Sequence, residues 1–121
     1  RRMSALLRGP EPPTAVVAAS ALIAVGALRA LRDAGARVPE DAALASFDDV
    51  PFAADVDPFP TAAEQPAPAI GRLAATMLME RIAGIVDGPP REVVLPTTLV
   101  VRRSCGAGLP APRERRVAAA R

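Results

Sequence analysis

The chain has 121 residues, a formal net charge of +2 and 50% hydrophobic residues, very few of them aromatic, which is the size of one small domain. Because it contains no histidine and only one cysteine, it cannot build a Ser-His-Asp triad, a histidine metal site or an internal disulfide. The basic residues are concentrated at the two ends while the middle is acidic, so a basic DNA-binding face is not expected.

The sequence also lacks the pattern of a membrane-spanning or secreted protein. The longest uncharged stretch, residues 12–28, is interrupted by Pro, Ser and Gly and is too short to span a bilayer. The first residues lead into no apolar run of the signal-peptide type. We therefore expect a cytoplasmic protein that does not contact membranes.

The first half of the chain predicts a strand–helix–strand unit that follows a short helix at residues 3–8. Apolar runs over residues 14–18 and 42–47 predict two buried strands. Between them, apolar residues at helical spacing predict a helix that begins after Ser20 and ends at Gly35. The stripe of this helix consists of Leu22, Val25, Leu28 and Leu31. The unit has the size of a right-handed crossover between parallel strands.

The second half predicts a loop, a long amphipathic helix and two short strands. Residues 48–61 are rich in Asp and Pro, as loops are, and residues 62–65 form a short extended piece. The strongest periodic signal in the chain predicts a helix over residues 68–87. Two further strands are predicted at residues 92–95 and 98–102, separated by a proline.

Two polar residues directly follow the two strands of the first unit, namely Ser20 and Asp48. In a parallel sheet, ligands bind at the edge formed by the carboxyl ends of the strands, and a helix N-terminus adds N–H donors there. A hydroxyl, a carboxylate and these donors suit a neutral, hydroxyl-rich ligand such as a sugar or a nucleoside. The alternatives are that Ser20 only caps the helix and that Asp48 and Asp49 only form a turn.

Enzymatic chemistry is not expected from this sequence. Asp48 and Asp49 are adjacent, so their carboxylates tend to point apart instead of converging on one substrate. We predict no catalytic residue, no metal site and no cofactor. Cys105 is assigned no role, and it stands beside a Gly-, Pro-, Ala- and Arg-rich tail over residues 106–121 that is expected to be disordered.

Several motifs over residues 3–105 resemble, in their order and spacing, the LacI/GalR family of bacterial transcriptional regulators. The motifs include Thr14-Ala15-Val16-Val17-Ala18-Ala19-Ser20, Val38-Pro39-Glu40-Asp41, Phe47-Asp48-Asp49-Val50-Pro51, Gln65-Pro66 and Leu99-Val100-Val101-Arg102. Each motif by itself is a weak signal, whereas the motifs in this order and spacing are together specific for the family.

The resemblance implies an α/β fold with a parallel sheet, of the periplasmic-binding-protein-like type I class. Residues 1–105 would be the C-terminal part of an effector-binding and dimerisation domain, and residues 106–121 would be its tail. The domain would have two lobes, with the helix over residues 68–87 packed in the other lobe. The apolar face of that helix would then lack most of its partners in this chain.

The resemblance further implies the C-terminal portion of a LacI-type DNA-binding regulator that binds a small sugar-like or nucleoside-like effector and forms a homodimer. Operator DNA would be contacted only through an N-terminal domain that has no counterpart in this chain. The alternative is a sugar-binding protein of a transport system with the same fold.

Family roles are implied at particular positions. Asp48 matches a carboxylate that hydrogen-bonds effector hydroxyls, and Ser20 matches a ligand-contacting position that is usually Asn. Ala21 stands where Asp is usual, and Ser46 stands where Gly is usual, so the usual ligand contacts are altered. The residues implied in dimerisation are Val25, Leu28, Arg29, Pro51 and Phe52. For the first two of these, ordinary core packing is the alternative.

Overall fold

A computed structural model describes residues 2–49 and 60–108 of the chain as an α/β arrangement. Its elements, in order, are helix α1 (Arg2–Leu7), strand β1 (Ala15–Ala18), helix α2 (Ala21–Asp33), strand β2 (Ala43–Phe47), strand β3 (Thr61–Glu64), helix α3 (Ala67–Ile82), strand β4 (Thr98–Val100) and a 3₁₀ turn (Arg103–Cys105). The predicted strands of the first unit, the helix between them and the short helix before them are confirmed.

One mixed sheet contains the four strands in the order β1-β2-β3-β4. Strands β1, β2 and β3 run parallel, and β4 is antiparallel to β3. The predicted crossover is therefore confirmed, because α2 joins two neighbouring parallel strands. The short extended piece predicted at residues 62–65 is a full member of the sheet, strand β3, which pairs on both sides.

Helix α2 packs on the sheet through a face that only partly matches the predicted stripe, of which Leu28 and Leu31 are buried. Leu22 is 79% exposed and Val25 is only half-buried, so the predicted stripe is wrong at these positions. The buried residues of α2 are Ala21, Ala24, Ala27, Leu28 and Leu31. Alanines let a helix approach closely, and the inner face of the sheet also carries the small buried residues Ala18 and Ala62. The stripe of large apolar residues therefore located the buried face in the second half of the helix but not in the first, where alanines face the sheet.

The hydrophobic core lies between α2 and β2. Leu44 is fully buried and contacts Ala27 and Leu28 of α2, and partly buried side chains of Met3 and Val16 pack around them. Burying a leucine side chain contributes roughly 1.5–3 kcal/mol. The stability of the described chain is thus concentrated in the first strand–helix–strand unit.

Helix α3 ends earlier than the sequence predicts. It stops at Ile82 and not near residue 87, and Gly84 follows in a left-handed conformation with φ 68°. Glycine adopts this conformation without steric cost, so it ends the helix despite the continuing apolar spacing.

No residue of α3 is buried, and among the helices and strands that the structure describes α3 packs against none. Leu78 is 59% exposed and Ile82 is 70% exposed. This is the unpartnered apolar face that the family resemblance implies.

The predicted strand at residues 92–95 is wrong. No strand is present there, and the predicted strand at residues 98–102 is shortened to β4. Residues 91–95 instead lie beside α3, where Val93 and Leu95 line a groove together with Ile70 and Met77. A strand needs backbone partners along its length, and the apolar alternation of this segment could not show that a helix would be its neighbour.

Candidate functional site

The site predicted from the sequence lies at the carboxyl edge of the sheet. In the register of the parallel pair β1 and β2, Ala18 stands opposite Ser46. Ser20 and Asp48 each lie two positions beyond these partners, so the fold brings both residues to one edge. The adjacency of the two strands, on which the prediction depended, is confirmed.

Ser20 forms the N-cap of α2. Its backbone is extended, with φ −158° and ψ 162°, and its Oγ accepts a hydrogen bond from the Ile23 N–H at 3.4 Å. The capping role considered as an alternative is therefore present. A hydroxyl that accepts one hydrogen bond retains a donor and a second acceptor site, so capping and ligand contact are compatible.

Asp48 follows β2 in a left-handed conformation with φ 61°, the one non-glycine residue with positive φ in the described ranges. This conformation costs a residue with a Cβ roughly 1–2 kcal/mol, and Asp and Asn tolerate it better than most. Its N–H donates to the carbonyl of Ala63 at 3.1 Å, which extends the ladder between β2 and β3 by one bond. Asp48 thus ends the paired part of the chain at this edge in a left-handed conformation, and the residue is half-buried.

Gln65 belongs to the same edge, although the sequence analysis assigned it no role at the site. It follows β3 directly, and its Nε2 donates to Asp48 Oδ1. The signal that could have found it is its place after a third parallel strand, which was hidden because residues 62–65 were not recognised as a strand inside the sheet. Polar side chains thus follow all three parallel strands.

The neighbouring carboxylate of Asp49 has a different partner. Its Oδ2 pairs with Arg102 Nη2 at 2.6 Å, and the side chains of Asp49 and Arg102 are only 16% and 25% exposed. The two adjacent carboxylates therefore diverge, as predicted, with Asp48 bonded to Gln65 and Asp49 to Arg102. This divergence does not favour a catalytic carboxylate pair.

Arg102 is held at the start of β3 by three further hydrogen bonds. Its Nη1 donates to the carbonyl of Pro60 at 3.0 Å. Its N–H donates to the Thr61 hydroxyl at 2.9 Å, and that hydroxyl donates to the Arg102 carbonyl at 3.1 Å. The residue that pairs with Asp49 is thus fixed in place by its own backbone.

The 3₁₀ turn after β4 connects β2 and β3 through one hydroxyl. Ser104 is fully buried; its Oγ accepts from the Thr61 N–H at 2.7 Å and donates to the Leu44 carbonyl at 2.6 Å. Next to it, the pKa of the Cys105 thiol is lowered from its ordinary value by hydrogen bonds from the Thr61 side chain and from the Ala107 backbone. Both residues support the sheet from the side opposite its carboxyl edge.

Ser46 is 4% exposed, and its hydroxyl has no hydrogen-bond partner among the residues that the structure describes. An unpaired buried hydroxyl is unfavourable, because its hydrogen bonds to water are lost without replacement. The glycine that is usual at this position in the family pattern would carry no such group. Ser46 thus places an unfavourable buried hydroxyl beneath the candidate site.

The residues implied in dimerisation separate into three groups. Arg29 is exposed and Val25 is half-buried on α2, where a partner could reach them. Leu28 is 3% exposed and belongs to the core, so the alternative interpretation holds for Leu28, and its assignment to an interface is corrected. Pro51 and Phe52 lie outside the described residues.

Over residues 2–49 and 60–108, no group of three or more His, Cys, Asp or Glu side chains could hold a metal ion. In the same ranges, no helix has the length and apolarity needed to cross a membrane. A cavity of about 440 Å³ opens at the opposite edge of the sheet, beside Leu7, Thr14 and Ala42. It is lined by none of the three polar residues at the carboxyl edge, so we keep the candidate site at that edge.

Comparison with known proteins shows which domain family the chain matches and which regulators it is similar to. Residues 1–105 match the family model of the periplasmic binding protein-like domain. The HTH-type transcriptional regulator MalR of Streptomyces coelicolor is 44% identical over 102 residues, which are 84% of this chain and 28% of the regulator. The chain therefore spans less than a third of the length of this relative.

Solved structures of transcriptional regulators are also similar to this chain. A LacI family transcriptional regulator from Arthrobacter sp. FB24, in complex with lactose, matches with a TM-score of 0.74 and 31% identity over 85% of this chain and 38% of its own. The complex of the transcriptional regulator CelR with cellobiose matches with a TM-score of 0.71 and 45% identity over 75% of this chain and 28% of its own. The similarity thus covers three quarters or more of this chain in both structures.

Proposed function

We propose a function from one premise: the chain belongs to the periplasmic binding protein-like domain family, in the form found in LacI-type transcriptional regulators. The proposal is that the chain forms part of the effector-binding domain of such a regulator and binds a small, sugar-like effector. The observation that carries it is the meeting of Ser20, Asp48 and Gln65 at the carboxyl edge of three parallel strands.

The chemistry of this edge favours a neutral ligand with several hydroxyl groups. Asp48 offers carboxylate oxygens, Ser20 a hydroxyl, and the first turn of α2 its N–H groups. Carboxylates accept strong hydrogen bonds from hydroxyls. Two regulators of similar structure are in complex with the disaccharides lactose and cellobiose, which supports a sugar over a nucleoside.

In the whole regulator, effector binding would change the affinity for operator DNA, since two ligands that favour different conformations are coupled reciprocally. Operator contact would come from protein outside this chain, and the regulator would act in the cytoplasm as a homodimer. Val25 and Arg29 on the outer side of α2 are the described candidates for the dimer interface. A transport protein is not favoured, because the relatives named above are transcriptional regulators.

A titration of the ¹⁵N-labelled chain with cellobiose, lactose and adenosine, followed by NMR, tests the proposal. We expect a disaccharide to shift the amide signals of residues 20–23, 48 and 65, with affinity on the order of millimolar, about −4 kcal/mol, if the chain supplies one side of a cleft. Asp48→Asn should remove the response, because an amide nitrogen replaces one of the accepting oxygens.

Asp33→Asn is the matched control, since Asp33 is exposed at the far end of α2. It should leave the titration unchanged. Shifts that cluster away from the carboxyl edge, or a response that survives in Asp48→Asn, would contradict the proposed site.

A further inference from the structure

The ion pair between Arg102 and Asp49 connects two distant parts of the chain. The residues are 53 positions apart, and their side chains are mostly buried. Asp49 lies just beyond the carboxyl edge of β2, whereas Arg102 follows β4 and is bonded to the residues where β3 begins. The pair thus reaches from one end of the sheet towards the other.

Asp48 stands between the end of β2 and this ion pair. Its backbone is left-handed, with φ 61°, and the residue that follows it pairs with Arg102. A non-glycine residue keeps such a conformation only when its surroundings hold it there. The contacts that hold it are the Asp48 N–H to the Ala63 carbonyl, the Gln65 amide on its carboxylate, and the pairing of the next residue with Arg102.

Of these contacts, the pair with Arg102 has the firmest anchor. The guanidinium donates both to Asp49 and to the Pro60 carbonyl, so its plane is fixed by two groups. The Arg102 backbone is bonded in both directions to the Thr61 hydroxyl. The Gln65 side chain, in contrast, is exposed.

We infer that Arg102 is a positioning residue for the effector site: by pairing with Asp49, it holds Asp48 in the left-handed conformation from which Asp48 presents its carboxylate. The inference rests on the proposed function for its ligand, although the conformation of Asp48 can be measured without one.

The ligand-free test uses the ¹³C and ¹⁵N backbone shifts of Asp48, which report positive φ. We expect left-handed values in the parent chain and averaged values in Arg102→Met, which removes the guanidinium but keeps the backbone bonds to Thr61. Asp49→Asn should cause the same change with almost no change in volume, and Arg102→Lys should restore part of the left-handed population.

Arg37→Met is the matched control, because Arg37 forms an exposed ion pair with Asp41 at 2.9 Å, away from this edge. It should leave the Asp48 shifts unchanged. Left-handed shifts that persist in both Arg102→Met and Asp49→Asn would overturn the inference, and Asp49→Asn with Arg102→Lys decides the question if Arg102→Met does not fold.

The ligand titration separates this inference from the proposed function. We expect Arg102→Met to weaken cellobiose binding by about tenfold, the lower end of what outer contacts contribute at metal sites. If Arg102→Met loses the left-handed conformation of Asp48 but binds cellobiose with unchanged affinity, the positioning role is overturned. If the parent chain binds no disaccharide, the proposed sugar effector is wrong. The backbone shifts of Asp48 alone then decide whether Arg102 holds Asp48 in its left-handed conformation.

Discussion

Helices α2 and α3 have similar apolar content but differ in how many of their residues are buried. Helix α2 buries five residues against the sheet and helix α3 buries none, although the sequence analysis took the strongest periodic signal from α3. Within the observed helix bounds, the apolar residues are in fact the more clearly gathered on one face in α2. Periodicity indicates which face of a helix is apolar. It does not show whether a partner for that face lies within the same chain, and of these two helices only α2 packs against other described helices and strands.

The largest expected effect comes from truncating one leucine in each helix. Leu31 of α2 is fully buried, so Leu31→Ala should lower the free energy of unfolding by about 2–5 kcal/mol. Leu78 of α3 is 59% exposed, so Leu78→Ala should change it by about 0.5 kcal/mol or less. Urea denaturation of both variants measures the difference. If both variants lose the same free energy of unfolding, α3 has a packing partner in solution, and the two helices do not differ in burial.

A smaller effect is expected at Ser104, which shows how much of the stability around β2 comes from polar contacts. Ser104→Ala removes the hydroxyl that joins the Leu44 carbonyl to the Thr61 N–H, so two buried groups lose their partner. We expect a loss of about 1–3 kcal/mol in the same denaturation experiment. Thr76→Ala is the control, because Thr76 is exposed on α3 and its hydroxyl can bond to water. A loss as large in the control would show that the bridge is not the cause.

The smallest expected effect has the opposite sign. Ser46→Ala deletes the unpaired buried hydroxyl, so we expect the free energy of unfolding to rise by about 1 kcal/mol. A thermal melt should show the midpoint moving upwards. Destabilisation would indicate that the hydroxyl finds a partner in solution, and a titration of that variant with cellobiose would then show whether the partner is a ligand.

The sequence alone determined the strand–helix–strand unit, the placement of Ser20 and Asp48 after its strands, and the family. These follow from local patterns: short apolar runs, helical spacing, and polar residues at the ends of strands. The family motifs are likewise contiguous in the chain.

Only the tertiary structure decided which face of α2 is buried, where α3 ends, and that residues 92–95 lie beside a helix. It also decided that Gln65 joins the site and that Asp49 pairs with Arg102. The end of α3 depends on a local residue, Gly84, whose left-handed conformation outweighs the apolar spacing that continues beyond it. In the other cases, burial and pairing depend on residues that are distant in the chain, as when the Leu44 carbonyl accepts a hydrogen bond from Ser104, and local spacing does not identify such partners.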